Sequence, residues 1–268
     1  MLKRVIEPKQ ISEHPLRYFT ARVLHFETID STSAFLKEQA QYANQQSSQL
    51  MGLCALAEEQ TAGYGRMGRH WHSPRGEGFY FSMLLTPPLV ANNAPLLTLM
   101  AAVASAEAIV ATGARALDIK WPNDILIGKR KIAGIIAEAS FEEQQLNYVV
   151  LGIGVNLNQK YFPAELDRRA TSLYLEIHKR IEPAQFLAEL LARIDHWYGV
   201  LISAPAGIAE RWQHLSSFAQ GRLIQVEHQG QHICARTCGL EPSGALRAQT
   251  ADGQLLVLYG GEVTEWEE

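Results

Sequence analysis

Two stretches of the chain gather groups able to hold negative charge. The first, GYGRMGR at 63–69, interleaves Gly63, Gly65 and Gly68 with Arg66 and Arg69, and His70, His72 and Arg75 follow closely. The second, KWPNDILIGKRK at 120–131, sets Lys120, Asn123, Asp124 and Lys131 around a tryptophan and a proline. Glycine lets a backbone approach a ligand closely, and guanidinium groups offer planar, permanently charged forks that suit carboxylate or phosphate. A carboxylate, an amide and two cations on adjacent strands complete a set that can both hold negative charge and stabilise it as it develops. Each stretch alone has a plainer reading, a solvated basic hairpin for the first and a solvated turn at 129–131 for the second.

The glycines of 63–68 also spell G-x-G-x-x-G, the dinucleotide-binding pattern. That pattern must open a helix and needs an acid roughly 20 residues downstream to hold a ribose. Here Pro74, Gly76 and Gly78 follow too soon for a helix, and no acid falls near position 83. A G-x-x-x-x-G-K-[ST] phosphate loop is excluded as well, because no lysine in the chain precedes a serine or threonine.

The surrounding sequence predicts the elements that position these groups. RVLHFETIDST (22–32) reads as a strand running into a turn, with Asp30, Ser31 and Thr32 as helix-capping types ahead of a helix over AFLKEQAQYANQQ. GLCALAEEQ (52–60) and GFYFSMLLT (78–86) read as strands on either side of the glycine loop. Residues 116–140 read as three strands with turns at 121–124 and 128–130, and NYVVLGIGVNLN (147–158) as another strand. From Pro183, the residues Phe186, Leu187, Leu190, Leu191, Ile194, Trp197, Tyr198 and Leu201 recur at helical spacing, with Pro205 past the end. IAERWQHLSSF follows as a shorter helix. After about Gly221, short alternating strands with turns at HQGQ, EPSG and ADGQ predict a small all-β domain. Residues 1–20, with Pro8 and Pro15, read as an irregular lead-in.

Composition narrows the function classes. The 268 residues are 47% apolar and carry a formal charge of −4, without the basic excess of a protein whose main work is neutralising nucleic-acid phosphates. Three cysteines, Cys54, Cys234 and Cys238, do not make a disulfide framework and fit a reducing cytoplasm. The start lacks the apolar core of a signal peptide. The run Pro95–Ala114 is interrupted by Ser105 and Glu107 and reads as a buried helix rather than a membrane span. His228, His232, Cys234 and Cys238 have the residue types of a zinc set, but in extended chain they spread too far to converge, so the cysteines read as small apolar residues of a β core.

GYGRMGRHWHSPRGEGFYFS, KWPNDILIGKRKIAGIIAE and LGIGVNLN, with DSTS at 30–33, together resemble the biotin protein ligases: the G-R-G-R-x-G-R-x-W-x-S-P loop, the K-W-P-N-D segment with its downstream lysine, and the G-x-G-x-N strand. The likeness extends over nearly the whole chain from about residue 22. It implies an α+β fold, a mixed β-sheet flanked by helices as in class II synthetases, with a small C-terminal SH3-like β-barrel. The implied division is a lead-in at 1–20, a catalytic domain at 21–218 and the barrel at 219–268. The implied activity is that of a biotin–[biotin carboxyl-carrier protein] ligase. Biotin and ATP form biotinoyl-5'-AMP, with Mg²⁺ brought in by ATP rather than held at a protein-only site, and a carrier lysine then takes the biotin.

Residue by residue, the resemblance gives Ser31, Thr32 and Ser33 to the ureido ring, with Gln60 just before the loop. Tyr64, Gly65 and Arg66 would close over biotin and the adenylate, Arg69 would help hold the intermediate, and Trp71 would lie against the nucleotide. Lys131 would contact both the biotin carboxylate and the phosphate, with Asp124 as base and Asn123 as a Mg²⁺ or phosphate partner. Gly134, Gly154 and Asn156 would wall the pocket and approach the ribose. Two positions depart from the pattern: Ser33 stands where asparagine is usual, and Tyr64 replaces the first arginine of the loop. Many relatives carry an N-terminal winged-helix domain and act as repressors. The length such a domain needs is missing ahead of residue 22, so the expected partners are biotin and a carrier domain, with a homodimer allowed, and neither DNA nor membrane. Competing expectations are a lipoate or octanoate ligase and a non-catalytic, biotin-responsive binding protein.

Overall fold

The structure, a computed structural model, describes residues 1–6, 16–43, 48–228, 231–261 and 263–265. Eight strands form the main sheet: β1 (Leu2–Ile6), β2 (Arg22–Phe26), β3 (Leu53–Ala57), β4 (Phe79–Leu85), β5 (Leu117–Lys120), β6 (Asp124–Ile127), β7 (Arg130–Glu142) and β8 (Gln145–Val155). Their spatial order is β1-β2-β3-β4-β8-β7-β6-β5. Strands β2 and β3 run parallel and every other neighbouring pair is antiparallel, so the sheet is mixed.

Helix α1 (Thr32–Ala43) lies on one face of this sheet. Ser31 caps it, its Oγ accepting from the Ala34 amide at 3.3 Å. The part of the expected helix beyond Ala43, 44–46, lies outside the described residues. Against the opposite face pack α2 (Pro95–Ala111) and α4 (Pro183–Ser203), with α5 (Ala206–His214) beside them; a short helix, α3 (Leu173–Ile177), precedes α4. The periodic apolar residues of α4, from Phe186 to Leu201, are all buried, and Pro183 sits in its first turn. Helix α2 is apolar on nearly every side because it is covered on nearly every side, by the sheet, α4 and α5. Its Glu107 carboxylate accepts from Trp197 Nε1 (3.0 Å) and Arg211 Nε (2.9 Å), so the one acid in that run ties three helices together.

The second sheet consists of β9 (Gln220–His228), β10 (Gln231–Leu240), β11 (Leu246–Thr250), β12 (Leu255–Leu258) and β13 (Val263–Glu265), antiparallel in the order β12-β11-β10-β9-β13. Gly244 and Gly253 turn it with φ of 86° and 89°, a region that favours glycine. The centre of the HQGQ turn, 229–230, lies outside the described residues. Gly244 also packs on Leu96 and Leu99 of α2, and its carbonyl accepts from Trp121 Nε1 at 3.3 Å, so the two sheets are joined through the K-W-P-N-D turn.

The start of the chain departs from the irregular lead-in read from the sequence: Leu2–Ile6 is a strand paired with β2. The prolines weighed as breakers come after it, and 7–15 lie outside the described residues. At the opposite edge, the main chain of β5 is covered by 215–217, where the Ile119 amide donates to the Leu215 carbonyl (3.1 Å) and Ser216 Oγ donates to the Ile119 carbonyl (2.6 Å).

Candidate active site

A cleft of about 330 Å³ opens on the α1 face of the main sheet. Its floor is made of missing side chains. Gly134 and Gly154 are direct partners across β7 and β8, and Gly152 pairs with Ile136 one rung away. A Cβ at Gly154 would stand 2.6 Å from Trp71 Cε2, one at Gly134 would stand 3.0 Å from Lys131 Nζ, and one at Gly152 would stand 2.5 Å from Ser33 Oγ. The indole therefore lies flat on the backbone of two strands, and the Lys131 ammonium sits 5.2 Å from its centroid.

One end of the cleft is lined with hydroxyls and an amide. Gln60 Oε1 accepts from the Thr32 amide (2.9 Å) and the Thr32 hydroxyl (3.0 Å). Ser82 Oγ lies 2.7 Å from Thr32 Oγ1 and 2.8 Å from Ser33 Oγ. Ser31, Thr32, Ser33 and Ser82 are all buried. Ser31, Thr32 and Ser33 belong to the start of α1, and Ser82 reaches them from β4.

The glycine loop forms a small hairpin over the cleft rather than opening a helix. Tyr64 bridges His70, the Gly65 amide donates to the Arg69 carbonyl (2.8 Å), and the Trp71 amide donates to the Gly63 carbonyl (2.9 Å). Residues 66–68 make a single 3₁₀ turn at its tip, with Met67 and Gly68 at φ of 57° and 70°. Gly63 is needed for space, since a Cβ there would meet Ser73 Oγ at 2.7 Å, whereas one at Gly65 would meet nothing closer than 3.8 Å.

At the other end the two charged stretches converge. Arg66 Nη1 donates to Asn123 Oδ1 (3.2 Å) and to the carbonyl of Gly261, between β12 and β13 of the second sheet (3.0 Å). Asn123 is in turn fixed by its Nδ2, which donates to the Ile135 carbonyl at 2.9 Å. Next to it, Asp124 Oδ1 pairs with Lys131 Nζ at 2.7 Å. Asp124 is the one carboxylate on the cleft lining among the described residues. Lys120, Arg69 and His70 also line this region.

The fifteen residues given a role by the resemblance (Ser31, Thr32, Ser33, Gln60, Tyr64, Gly65, Arg66, Arg69, Trp71, Asn123, Asp124, Lys131, Gly134, Gly154 and Asn156) line this one cleft, whereas Arg75, read with the basic loop, lies off it beside Glu27 and Glu58. Asn156 lines the cleft with its amide turned toward protein: Nδ2 donates to the Thr171 carbonyl (3.0 Å) and more weakly to the Lys131 carbonyl (3.4 Å). It thereby holds the segment 159–171 against β7, where the Lys131 amide donates to the Arg169 carbonyl (2.7 Å) and the Thr171 amide to the Lys131 carbonyl (2.9 Å).

Several lining residues escaped the sequence reading. Phe162, Leu166 and Arg169 come from that irregular segment, which has no periodicity to flag it. Gly261 and Val263 come from the far end of the chain. Ser82 carried a usable signal, a lone serine inside the apolar and aromatic run FYFSMLL. The residues suspected of mimicking a zinc set fall on β9 and β10, where Cys234 and Cys238 are half-buried. Among the described residues no group of three or more His, Cys, Asp or Glu is placed to hold a metal.

The chain is similar to proteins of one kind. A sequence model of the Biotin/lipoate A/B protein ligase family matches residues 25–156. The bifunctional ligase/repressor BirA of Bacillus spizizenii is 38% identical over 263 residues, 96% of this chain and 80% of that protein. The biotin–[acetyl-CoA-carboxylase] ligase of Paracoccus denitrificans is 34% identical over 75% of this chain and 82% of its own length. Among solved structures, the Aquifex aeolicus biotin protein ligase in complex with biotin and ATP superposes with a TM-score of 0.74 at 26% identity, covering 92% of this chain and 99% of that one. With its mixed sheet, its C-terminal antiparallel sheet and this cleft, and at these identities, the chain belongs to the biotin protein ligase family.

Proposed function

We propose that the cleft activates biotin with ATP and passes it to a lysine of a biotin carboxyl carrier domain. The observation that carries this reading is the meeting of Arg66 and Lys131, 65 positions apart in sequence, at one end of a cleft whose other end is an array of hydroxyls and an amide. In the first step a biotin carboxylate oxygen attacks the α-phosphorus of ATP. The bond to the β-phosphate oxygen breaks, and pyrophosphate leaves. Both reactants are anions, and fixed cations lower the cost of bringing them together. Lys131, held by Asp124, faces the reacting oxygens, and Arg66 lies across from it.

In the second step an amine nitrogen attacks the acyl carbon, the bond to the adenylate oxygen breaks, AMP leaves, and the amine gives up a proton. A lysine amine of ordinary pKa, about 10.4, is neutral in only about one molecule in 10³ at pH 7. Asp124 is the acceptor at hand for its proton.

Trp71 and the apolar Phe162 and Leu166 offer flat surfaces to the adenine, and Thr32, Ser33, Gln60 and Ser82 offer donors and acceptors to the ureido ring. Mg²⁺ commonly binds through one or two protein oxygens plus phosphates. The oxygens of Asn123 and Asp124 fit that demand, and the ion would neutralise phosphate charge and steady the departing pyrophosphate.

We assign the ligase half of the activity that the BirA relatives' names join to repression. The balance of −4 and the acid-activating cleft support a carrier protein, not DNA, as the macromolecular partner. Mass spectrometry of a carrier domain incubated with the chain, ATP and biotin tests the reading: one biotinyl group on one lysine is expected. An unmodified carrier, or octanoate or lipoate attached in preference to biotin, would overturn it.

A further inference from the structure

At the margin of the cleft, a charged cluster joins the lining residue Tyr64 to two residues behind the lining, Glu138 and Lys37. Tyr64 Oη donates to Glu138 Oε2 at 2.8 Å, Lys37 Nζ donates to Glu138 Oε1 at 2.6 Å, and the Lys37 ammonium lies 5.3 Å from the Tyr64 ring centroid. Tyr64 belongs to the glycine hairpin, Glu138 to β7 and Lys37 to α1.

Register fixes where the cluster sits. Lys37 is one helical turn beyond Ser33, on the same side of α1. Glu138 is two residues beyond Ile136 on the same side of β7, and Ile136 pairs with the Gly152 on which Ser33 rests. The three groups therefore form the next rung after the buried hydroxyls, where the hairpin crosses from one wall to the other. Burial raises the Tyr64 phenol pKa, so the hydroxyl stays a donor across the ordinary pH range.

We propose that Tyr64, Glu138 and Lys37 form a crossbar that holds the hairpin down over the hydroxyl end of the cleft and retards escape of the bound acid. Glu138 and Lys37 act as positioning residues through Tyr64, which itself lines the cleft. The loop pattern that this chain resembles has an arginine at 64. Here a phenol stands in its place, and the cation of the bar comes from helix α1. The proposal deepens the biotin reading and rests on it for the identity of the retained acid.

The test uses the full chain with the variants Lys37→Met, Glu138→Gln and Lys37→Arg. The first readout is steady-state biotin-dependent exchange of pyrophosphate into ATP. The second is hydrogen exchange of the 63–69 amides with no ligand present. Loss of a charge-assisted, partly exposed hydrogen bond is expected to raise KM for biotin about 5- to 20-fold in Lys37→Met and Glu138→Gln, with kcat within about twofold of the parent. Amides of 63–69 should exchange faster in the same two variants, and Lys37→Arg should restore both readouts.

A Tyr64→Phe, Lys37→Met double variant should be no worse than either single variant, because both cut one bar. Unchanged KM together with unchanged loop exchange would overturn the proposal. So would a lowered kcat with unchanged KM, or exchange that quickens throughout the chain, since either would mark Lys37 and Glu138 as general supports of the fold. If the parent chain shows no biotin-dependent exchange of pyrophosphate, the biotin reading fails, while the ligand-free amide measurement still decides whether the bar holds the hairpin.

Discussion

At one end of the cleft, Thr32, Ser33 and Ser82 are buried and satisfy one another and Gln60 through contacts of 2.7–3.0 Å. At the other end, Lys131, Arg66 and Asn123 are partly exposed and are held by Asp124, the Gly261 carbonyl and the Ile135 carbonyl. A ligand reaching the first end must replace existing hydrogen bonds one for one, and a group that cannot do so leaves a buried oxygen unpaired, at about 1–3 kcal/mol each. A ligand reaching the second end meets Lys131 paired with the Asp124 carboxylate and Arg66 bonded to the Asn123 and Gly261 oxygens, contacts for which a polyphosphate can compete. On the proposed reading, the first end discriminates among acids and the second makes a well-placed acid react.

That division can be broken most forcefully at the charged end. Lys131→Ala is expected to lower biotin-dependent exchange of pyrophosphate about 10²- to 10³-fold with an unchanged melting temperature. Activity near the parent level would remove Lys131 from the chemistry and with it the contrast between the ends.

Gly154→Ala acts on the floor between them. Its methyl group would overlap Trp71 and must push the indole off the sheet. An overpacked site commonly costs about 1–3 kcal/mol. KM for ATP should rise by roughly one order of magnitude or more, with biotin affinity changed much less. Equal loss for both substrates would mean that the floor is shared rather than divided.

Ser82→Ala sharpens the comparison from the other side. It leaves the Thr32 and Ser33 hydroxyls short of a partner, and biotin affinity measured by calorimetry should fall about 5- to 20-fold, while ATP affinity stays as it was. The mildest test needs no substitution: biotin alone at 100 times its Kd adds about 2.7 kcal/mol to stability. Differential scanning fluorimetry should show that rise without ATP, because the hydroxyl end is already assembled. A shift that demands both ligands would show that it is not.

The sequence made the charged end legible because chemistry there is dense and contiguous: Lys120, Asn123, Asp124 and Lys131 lie within twelve positions and Arg66 in a glycine-rich loop. Helix α4 was equally plain, since eight apolar residues keep one helical face and every one of them is buried. The hydroxyl end was legible in half, through Ser31 to Ser33 and Gln60, whereas Ser82 read as an ordinary strand residue. Lys37 and Glu138 were passed over because charged residues on a helix and a strand usually face water. Phe162, Leu166 and Val263 reach the cleft by tertiary packing across long sequence separations, which no local pattern records. Strand β1 was missed for a related reason: the prolines that argued for an irregular lead-in follow the strand instead of falling within it.

Gly134, Gly152 and Gly154 shape the chamber by what they lack. Any amino-acid substitution at those three positions adds atoms and never subtracts them. Drift there moves the acceptable substrate toward slimmer molecules, and a lineage that came to use a bulkier one would have to remodel the hairpin roof or the hydroxyl wall instead.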